Sequence, residues 1–210
     1  MRSRTALTAL LIAGVGACGG PRVPALDYLP PSAAPAPDRS ALVEQQPWLV
    51  LGNVLDHLQQ RGLPVTEVDE AAGELVVAYS GDPEPYVDCG WIVTWRKDEL
   101  DRLPAAIADA SFARRWKGRV VSVDRDLRLD ARMTVRVEPA GENAVVRADS
   151  AYVLTKTVAP QEAEQPLHAE TISFPTGTSA AFTSGTTCQP NGALERLVFD
   201  ALPDVSFVGS

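Results

Sequence analysis

Histidine is scarce in this chain of 210 residues, and familiar catalytic and metal-binding motifs are missing. Only His57 and His168 are present, and neither belongs to a ligand spacing such as H-E-x-x-H, so we expect no zinc site. No G-x-S-x-G occurs, and Ser184 has no evident base, so we interpret Thr183-Ser184-Gly185 as a turn. A glycine-rich phosphate loop is absent too. These absences predict a protein that is not an enzyme and needs no cofactor.

Long apolar runs are also lacking, apart from one at the start of the chain. Residues 1–17 combine the basic Arg2 and Arg4 with an apolar run that ends in small residues just before Cys18. This run is too short to span a bilayer as a mature helix. The pattern resembles the lipobox of bacterial lipoproteins, which implies cleavage before Cys18, diacylglycerol on its sulfur and acylation of the new amine. Because Gly19 follows instead of an aspartate, we expect the outer membrane, with the chain facing the periplasm.

Positive charge is in deficit. Lys and Arg number 19 against 27 Asp and Glu, for a formal net charge of −8, and losing Arg2 and Arg4 with residues 1–17 takes it to about −10. Nucleic-acid-binding proteins need a basic surface, so we expect no nucleic acid partner. General adhesion to anionic lipid head groups is disfavoured for the same reason.

Cysteine is limited to Cys18, Cys89 and Cys188. If Cys18 carries lipid, the other two remain in an oxidising compartment, and we expect them to form a disulfide. The alternative is a pair of free thiols with one acting as a nucleophile. It is disfavoured because no C-x-x-C is present and no histidine lies near either cysteine in sequence.

The loop from Gly81 to Gly90 is the most distinctive local string. Its acidic residues Asp82, Glu84 and Asp88 are possible calcium ligands, but their spacing does not match an EF-hand and two prolines stiffen the loop. We therefore interpret it as a turn that positions Cys89.

The chain divides into a signal peptide (residues 1–17), a lipidated cysteine with a proline-rich tether (18–46) and a single domain (47–210). Residues 19–38 hold six of the 17 prolines, which predicts extended, unordered chain. The alternative for Leu26, Tyr28 and Leu29 is a short partner-binding patch.

Within the domain, hydrophobic periodicity predicts two helices and an antiparallel sheet. Leu51, Val54, Leu55 and Leu58 form one helical stripe in a helix from about Pro47 to Gln60. Apolar and polar residues alternate without a break over Leu127–Val137, which is typical of a strand with one buried face. The other expected elements are strands near 65–69, 75–79, 86–95, 144–155, 168–174 and 178–187, an insertion at 98–117 with a short helix near 103–112, and a last helix capped by Asn191. The order predicts an α+β fold with the N- and C-terminal helices packed on one face of the sheet.

Residues 48–76 and Trp91–Trp95 resemble the BamC (NlpB) family, outer-membrane lipoproteins of the β-barrel assembly machinery. The shared order is a helix, a Gly-Leu break, a strand, an Asp-x-x-Ala-Gly turn and a strand that bears tryptophan. In the order of elements the resemblance covers roughly residues 47–202. It implies the same α+β fold and an accessory role beside envelope assembly proteins.

Two arginine-rich segments are candidate contact surfaces. The first consists of Arg114, Arg115, Trp116 and Lys117, and the second of Arg128, Arg132 and Arg136 on the wet face of one strand. Arginine and tryptophan are enriched at interface hot spots. The alternative for the strand is a solvated face on which each arginine pairs with an acidic residue of the next strand.

Two functions fit these observations. The first is a non-enzymatic lipoprotein, anchored to the outer membrane, that scaffolds or assists envelope assembly. The alternative is a periplasmic lipoprotein that binds lipid or peptidoglycan on the concave face of its sheet.

Overall fold

Antiparallel strands make up most of the part of the chain that the structure describes. The computed structural model describes residues 26–32, 39–96, 99–116, 119–161, 168–203 and 206–207. In these ranges there are two helices, α1 (Pro47–Gln60) and α2 (Ala193–Phe199). The strands are β1 (Leu26–Leu29), β2 (Ser40–Val43), β3 (Val65–Asp69), β4 (Glu74–Gly81), β5 (Val87–Asp88), β6 (Trp91–Arg96), β7 (Glu99–Pro104), β8 (Asp109–Trp116), β9 (Arg119–Ala140), β10 (Asn143–Pro160), β11 (His168–Pro175), β12 (Ala180–Ala181), β13 (Thr187–Pro190) and β14 (Ser206–Phe207).

The hairpin of β9 and β10 is the centre of the fold. Its strands are 22 and 18 residues long and stay in register from Ala140 opposite Asn143 to Val123 opposite Pro160. The tight turn between them uses Gly141, whose φ of 69° favours glycine. Side chains alternate between a buried inner face and an exposed outer face along both strands.

Different strands flank the two ends of this hairpin. Near the turn, β2 pairs with β10 over 144–147 and β4 pairs with β9 over 129–136. Farther from the turn, β11 pairs with β10 over 151–158 and β8 pairs with β9 over 119–126. We call residues 129–140 and 143–154 the proximal half, and residues 119–128 and 155–160 the distal half.

The two helices cover the inner face of the proximal half. Of the predicted stripe of α1, Leu51, Val54 and Leu58 are buried and Leu55 is half-buried. Val50, which was not predicted, is buried as well, and Pro47 begins the helix as expected. Both helices contact β9 and β10 as well as each other. The main hydrophobic core therefore lies between this helix pair and the proximal half.

A buried polar network holds α2 on the sheet. Tyr152 of β10 donates a hydrogen bond to Glu195 Oε1 of α2 at 2.8 Å, and Thr176 Oγ1 lies 2.7 Å from the same oxygen. Burial, followed by the neighbouring Glu195, raises the pKa of Tyr152. The hydroxyl therefore keeps its proton and acts as a donor to the carboxyl group.

The predicted α+β class is wrong. Strands account for 58% of the structure and helices for 13%, and the strands form several antiparallel sheets. The insertion at 98–117 contributes most to the error, because the expected helix near 103–112 is replaced by β7 and β8. Residues 109–116 pair as β8 with residues 119–126 of β9, which precede the strand predicted from Leu127. This pairing outweighs the weak helical preference of the alanines in the insertion.

The expectation of a disordered tether is also wrong for residues 26–32 and 39–46. β1 pairs with β6, and β2 lies between β10 and β14 in the large sheet. The chain after β1 passes so close to Gly90 that a Cβ there would collide with the carbonyl oxygen of Leu29. Backbone pairing and this close approach order a segment whose proline content alone favours extended chain.

No helix among the described residues is long and apolar enough to cross a membrane.

Candidate functional site

A cavity of about 390 Å³ lies against the inner face of the distal half. Most of its wall is apolar, and a few polar groups converge on it. The lining residues are Asp27, Tyr28, Ile92, Ala105, Phe112, Val123, Arg125, Leu127, Lys156, Val158, Phe182, Ser184 and Thr186.

The strand alternation that builds the core also builds this cavity. On β9 the inner positions continue from Leu129 through Leu127 and Arg125 to Val123, and on β10 they continue from Leu154 through Lys156. Neither of the two described helices contributes a residue to the lining of the cavity. Its walls come instead from β1, β6, the segment around Ala105 and the turn at 182–186.

Arg125 is buried in this wall, with 9% of its surface exposed. Its Nη1 donates to the carbonyl oxygen of Ala105 at 2.9 Å, and its Nη2 donates to that of Ile107 at 2.7 Å. The guanidinium carbon lies 5.7 Å from the centre of the Phe112 ring. Burial lowers the pKa of Arg125, and the more distant carboxylates of Asp109 and Asp126 act in the opposite direction.

Lys156, by contrast, has a complete set of partners. Its Nζ lies 2.9 Å from Glu170 Oε2, donates to Ser184 Oγ at 2.7 Å and sits 4.0 Å from the centre of the Phe182 ring. Lys156 and Glu170 stand directly opposite each other on β10 and β11. The positive charge of Lys156 is therefore neutralised within the protein.

Glu170 is held in its charged form. Its Oε1 accepts a hydrogen bond from the Thr183 backbone N–H, and its Oε2 faces Lys156 and, at 3.7 Å, His168. The bond from Thr183, followed by that from Lys156, lowers the pKa of Glu170 to about 2. This carboxylate fixes both Lys156 and the turn at 182–186.

Ser184 lies in a turn, as predicted, but the lysine beside it was not predicted. A serine nucleophile needs a neighbouring base that can take its proton. Lys156 is ion-paired with Glu170 and donates to the serine oxygen, which is the reverse of that arrangement. The geometry therefore favours Ser184 as an anchor for Lys156.

The predicted disulfide between Cys89 and Cys188 is confirmed, with the two sulfurs 2.01 Å apart. Tyr28 reinforces this junction, because its hydroxyl lies 3.0 Å from the Cys89 carbonyl oxygen and accepts a bond from the Thr187 N–H at 2.9 Å. Burial raises the pKa of Tyr28. The bridge ties the segment that carries Phe182 and Ser184 to the body of the protein.

The acidic loop before Cys89 acts as a turn. Asp82 Oδ1 accepts a hydrogen bond from the Glu84 N–H, and Asp88 Oδ1 accepts one from the Gly90 N–H. The described residues contain no group of three or more side chains that could hold a metal ion. These contacts support our interpretation that the loop positions Cys89.

The three strand arginines lie on the exposed outer face, with partners on β4 (Ser80 and Glu74) and on β3 (Glu67), which lies beyond β4. Arg132 pairs with Glu67 at 3.0 Å and Arg136 with Glu74 at 2.8 Å. Arg128 donates to Ser80 Oγ at 2.9 Å. Arg136 therefore forms the expected pair with an acidic residue of the next strand, whereas Arg132 reaches a glutamate one strand farther away and Arg128 contacts a serine.

The other candidate contact surface (Arg114–Lys117) and the candidate lipid site at Cys18 lie wholly or partly outside the described residues. Arg114, Arg115 and Trp116 end β8, and their side chains lie outside what the structure describes. Lys117 and Cys18 lie outside the described residues altogether. Whether these residues act as a contact surface or a lipid site stays a prediction.

The sequence contains a signal for the pocket just outside the two strands predicted at Leu127–Val137 and 144–155. The next inward-facing position on each strand is a cation, Arg125 before Leu127 and Lys156 after Thr155. A cation among inward-facing apolar residues indicates that this part of the sheet face does more than fill the core.

Comparisons with protein-family models, with curated proteins and with solved structures gave no match to this chain.

Proposed function

We propose that this chain is a lipid-anchored protein of the bacterial envelope that binds a small molecule with an apolar portion in the distal pocket. Attachment through Cys18 and an outer-membrane, periplasm-facing location are supported by the sequence of residues 1–19. The protein acts by binding, without catalysis.

The observation that carries this proposal is the pocket itself. Ligand sites are typically cavities of about 300–1,000 Å³ that are mostly apolar and contain a few placed polar groups. The cavity beneath the distal half has this volume and this composition. None of its lining residues belongs to either described helix, so the cavity is separate from the part of the inner face on which the helices pack.

A pocket-filling substitution tests binding. Val158 lines the cavity from β10, whereas Val153 lies on the exposed outer face of the same strand. We expect Val158→Trp to reduce binding of a fluorescent apolar probe by about tenfold or more, because the larger ring occupies the cavity. Val153→Trp is the matched control and should bind like the wild type. Equal binding by wild type and Val158→Trp, with both folded, would contradict the proposal.

Attachment is tested separately. Cys18→Ala should leave the chain unprocessed or soluble, because no thiol is available for the diacylglycerol. Envelope fractionation would refute lipid anchoring if it found the variant fully processed and still firmly bound to the outer membrane.

A second function, a scaffold in outer-membrane assembly, is favoured by an exposed tryptophan. Trp48 is 70% exposed at the start of α1, beside a groove lined by Leu51, Glu70–Gly73 and Val137. Exposed tryptophans are enriched among interface hot spots. If this role is correct, Trp48→Ala should reduce co-purification of assembly proteins from detergent-solubilised envelopes, whereas the cavity variant Val158→Trp should not.

A further inference from the structure

Arg125 is a buried cation for which the described residues of the chain provide no carboxylate contact. Of its five N–H groups, two donate to the backbone carbonyls of Ala105 and Ile107, and its buried Nε has no hydrogen-bond partner. Asp109 and Asp126 influence it electrostatically, but among the described residues neither forms an ion pair with it. Its guanidinium therefore lines the cavity without a direct counter-ion from the part of the chain that the structure describes.

An uncompensated charge in a low-dielectric wall is unfavourable, and the two carbonyl dipoles offset only part of that cost. Lys156, on the same face of the sheet, differs from Arg125, because Glu170 stands directly opposite it and forms an ion pair with it. Arg125 has no such partner on β8 or β10. The missing negative charge is most simply supplied from the cavity.

We infer that the pocket selects a single-chain amphiphile with an anionic carboxylate head, which pairs with Arg125 while the tail lies against Ile92, Val123 and Val158. This inference rests on the proposed binding function and names the chemical class of its ligand. An acyl chain suits the apolar wall, and a guanidinium suits a carboxylate because its N–H groups match the two oxygens. A cavity of about 390 Å³ accommodates one chain and excludes a whole two-chain phospholipid.

Three ten-carbon probes with different heads test the inference on the wild-type protein. Decanoate, decanol and decyltrimethylammonium are titrated into the full chain in nanodiscs of zwitterionic lipid, with empty nanodiscs as the blank. We expect decanoate to bind about tenfold or more tightly than decanol, since hydrogen bonds to a charged group are the stronger ones, and the ammonium to bind most weakly. Lengthening the carboxylate should tighten binding about fourfold per methylene until the cavity is full.

The outcomes separate this inference from the proposed function. Equal affinity for decanoate and decanol overturns the anionic-head inference and leaves the pocket intact. Binding of none of the three probes overturns both.

A matched pair of variants assigns the head-group preference to one residue. Arg125→Met keeps an unbranched apolar side chain in the wall, and Arg128→Met removes a positive charge from the outer face of the same strand. We expect Arg125→Met to abolish the preference for decanoate over decanol, and Arg128→Met to keep the wild-type preference. A folded Arg125→Met that still prefers decanoate by tenfold would overturn the role of Arg125. Should that variant not fold, the wild-type probe series still decides the inference.

Discussion

The proximal and distal halves of the β9–β10 hairpin share two strands and one alternating pattern, yet their inner faces differ in chemistry. In the proximal half Leu129, Met133 and Val135 are fully buried under the helices. In the distal half the same phase holds Arg125 and Lys156 beside a cavity. Backbone regularity therefore does not determine what a sheet face does. One half packs against the helices in the main core, and the other borders a cavity.

The largest expected effect comes from the disulfide that ties the segment around Phe182, part of the cavity wall, to the body of the protein. Replacing Cys89 and Cys188 together with serine should lower the free energy of unfolding by about 2–5 kcal/mol, because the crosslink closes a loop across 99 positions. Probe binding in the distal pocket should fall as well, since the segment around Phe182 loses its covalent link to Cys89. Urea unfolding with and without reductant measures the change. Reduced wild type serves as the control and should match the variant, and an unchanged unfolding midpoint would contradict the prediction.

A pair of truncations on β10 compares the two halves directly. Leu154 is fully buried in the proximal core, so Leu154→Ala should cost about 2–5 kcal/mol of unfolding free energy. Val158 borders existing empty space, so Val158→Ala should cost about 1 kcal/mol or less. Urea denaturation of both variants under one set of conditions gives the two values. Similar losses would mean that the distal half is packed as a core and is not built for binding.

Local patterns in the sequence were sufficient for several elements of the proximal half. The stripe through Val54 and Leu58 located α1, and the alternation over Leu127–Val137 identified the buried face of β9. These signals are local, because a helix face or strand face is defined by its own residues. The disulfide was also predictable, since two cysteines remained after Cys18 was assigned to lipid.

The features that were missed depend on partners distant in sequence. Leu26–Leu29 becomes a strand only because β6 is available to pair with it. Residues 109–116 form β8 because β9 extends beyond its apolar stretch. Glu170 faces Lys156 only in the observed register of β10 and β11, and a shift of one residue would place them on opposite faces. Predicting the pocket therefore requires the order and register of the strands, which the periodicity of a single sequence does not contain.

The ion pair that closes the distal half should make stability depend on pH. The folded pKa of Glu170 is lowered from 4.5 to about 2, so its stabilising contribution is complete above pH 4.5 and is lost as the pH falls toward 2. We expect Glu170→Gln to be less stable than wild type near neutral pH and the difference to shrink over this acid window. Chemical unfolding at several pH values measures it. Glu142→Gln, in the exposed hairpin turn, is the control. A difference that stays constant from neutral pH to pH 2 would argue against this contribution.

The smallest expected effect lies on the outer face, where charges are paired in water. Arg132 and Glu67 are both more than half exposed, so a double-mutant cycle with alanine should give a coupling of about 0–1 kcal/mol that decreases with added salt. Replacing Arg128, Arg132 and Arg136 together should therefore leave the fold intact, and weaker capture of envelope partners would identify this face as a contact surface. Undiminished capture would leave the arginines as solvated cross-strand partners. The inner face would then differ from the outer one, because Arg125 is buried and no described carboxylate pairs with it, whereas Arg128 on the outer face is exposed to water.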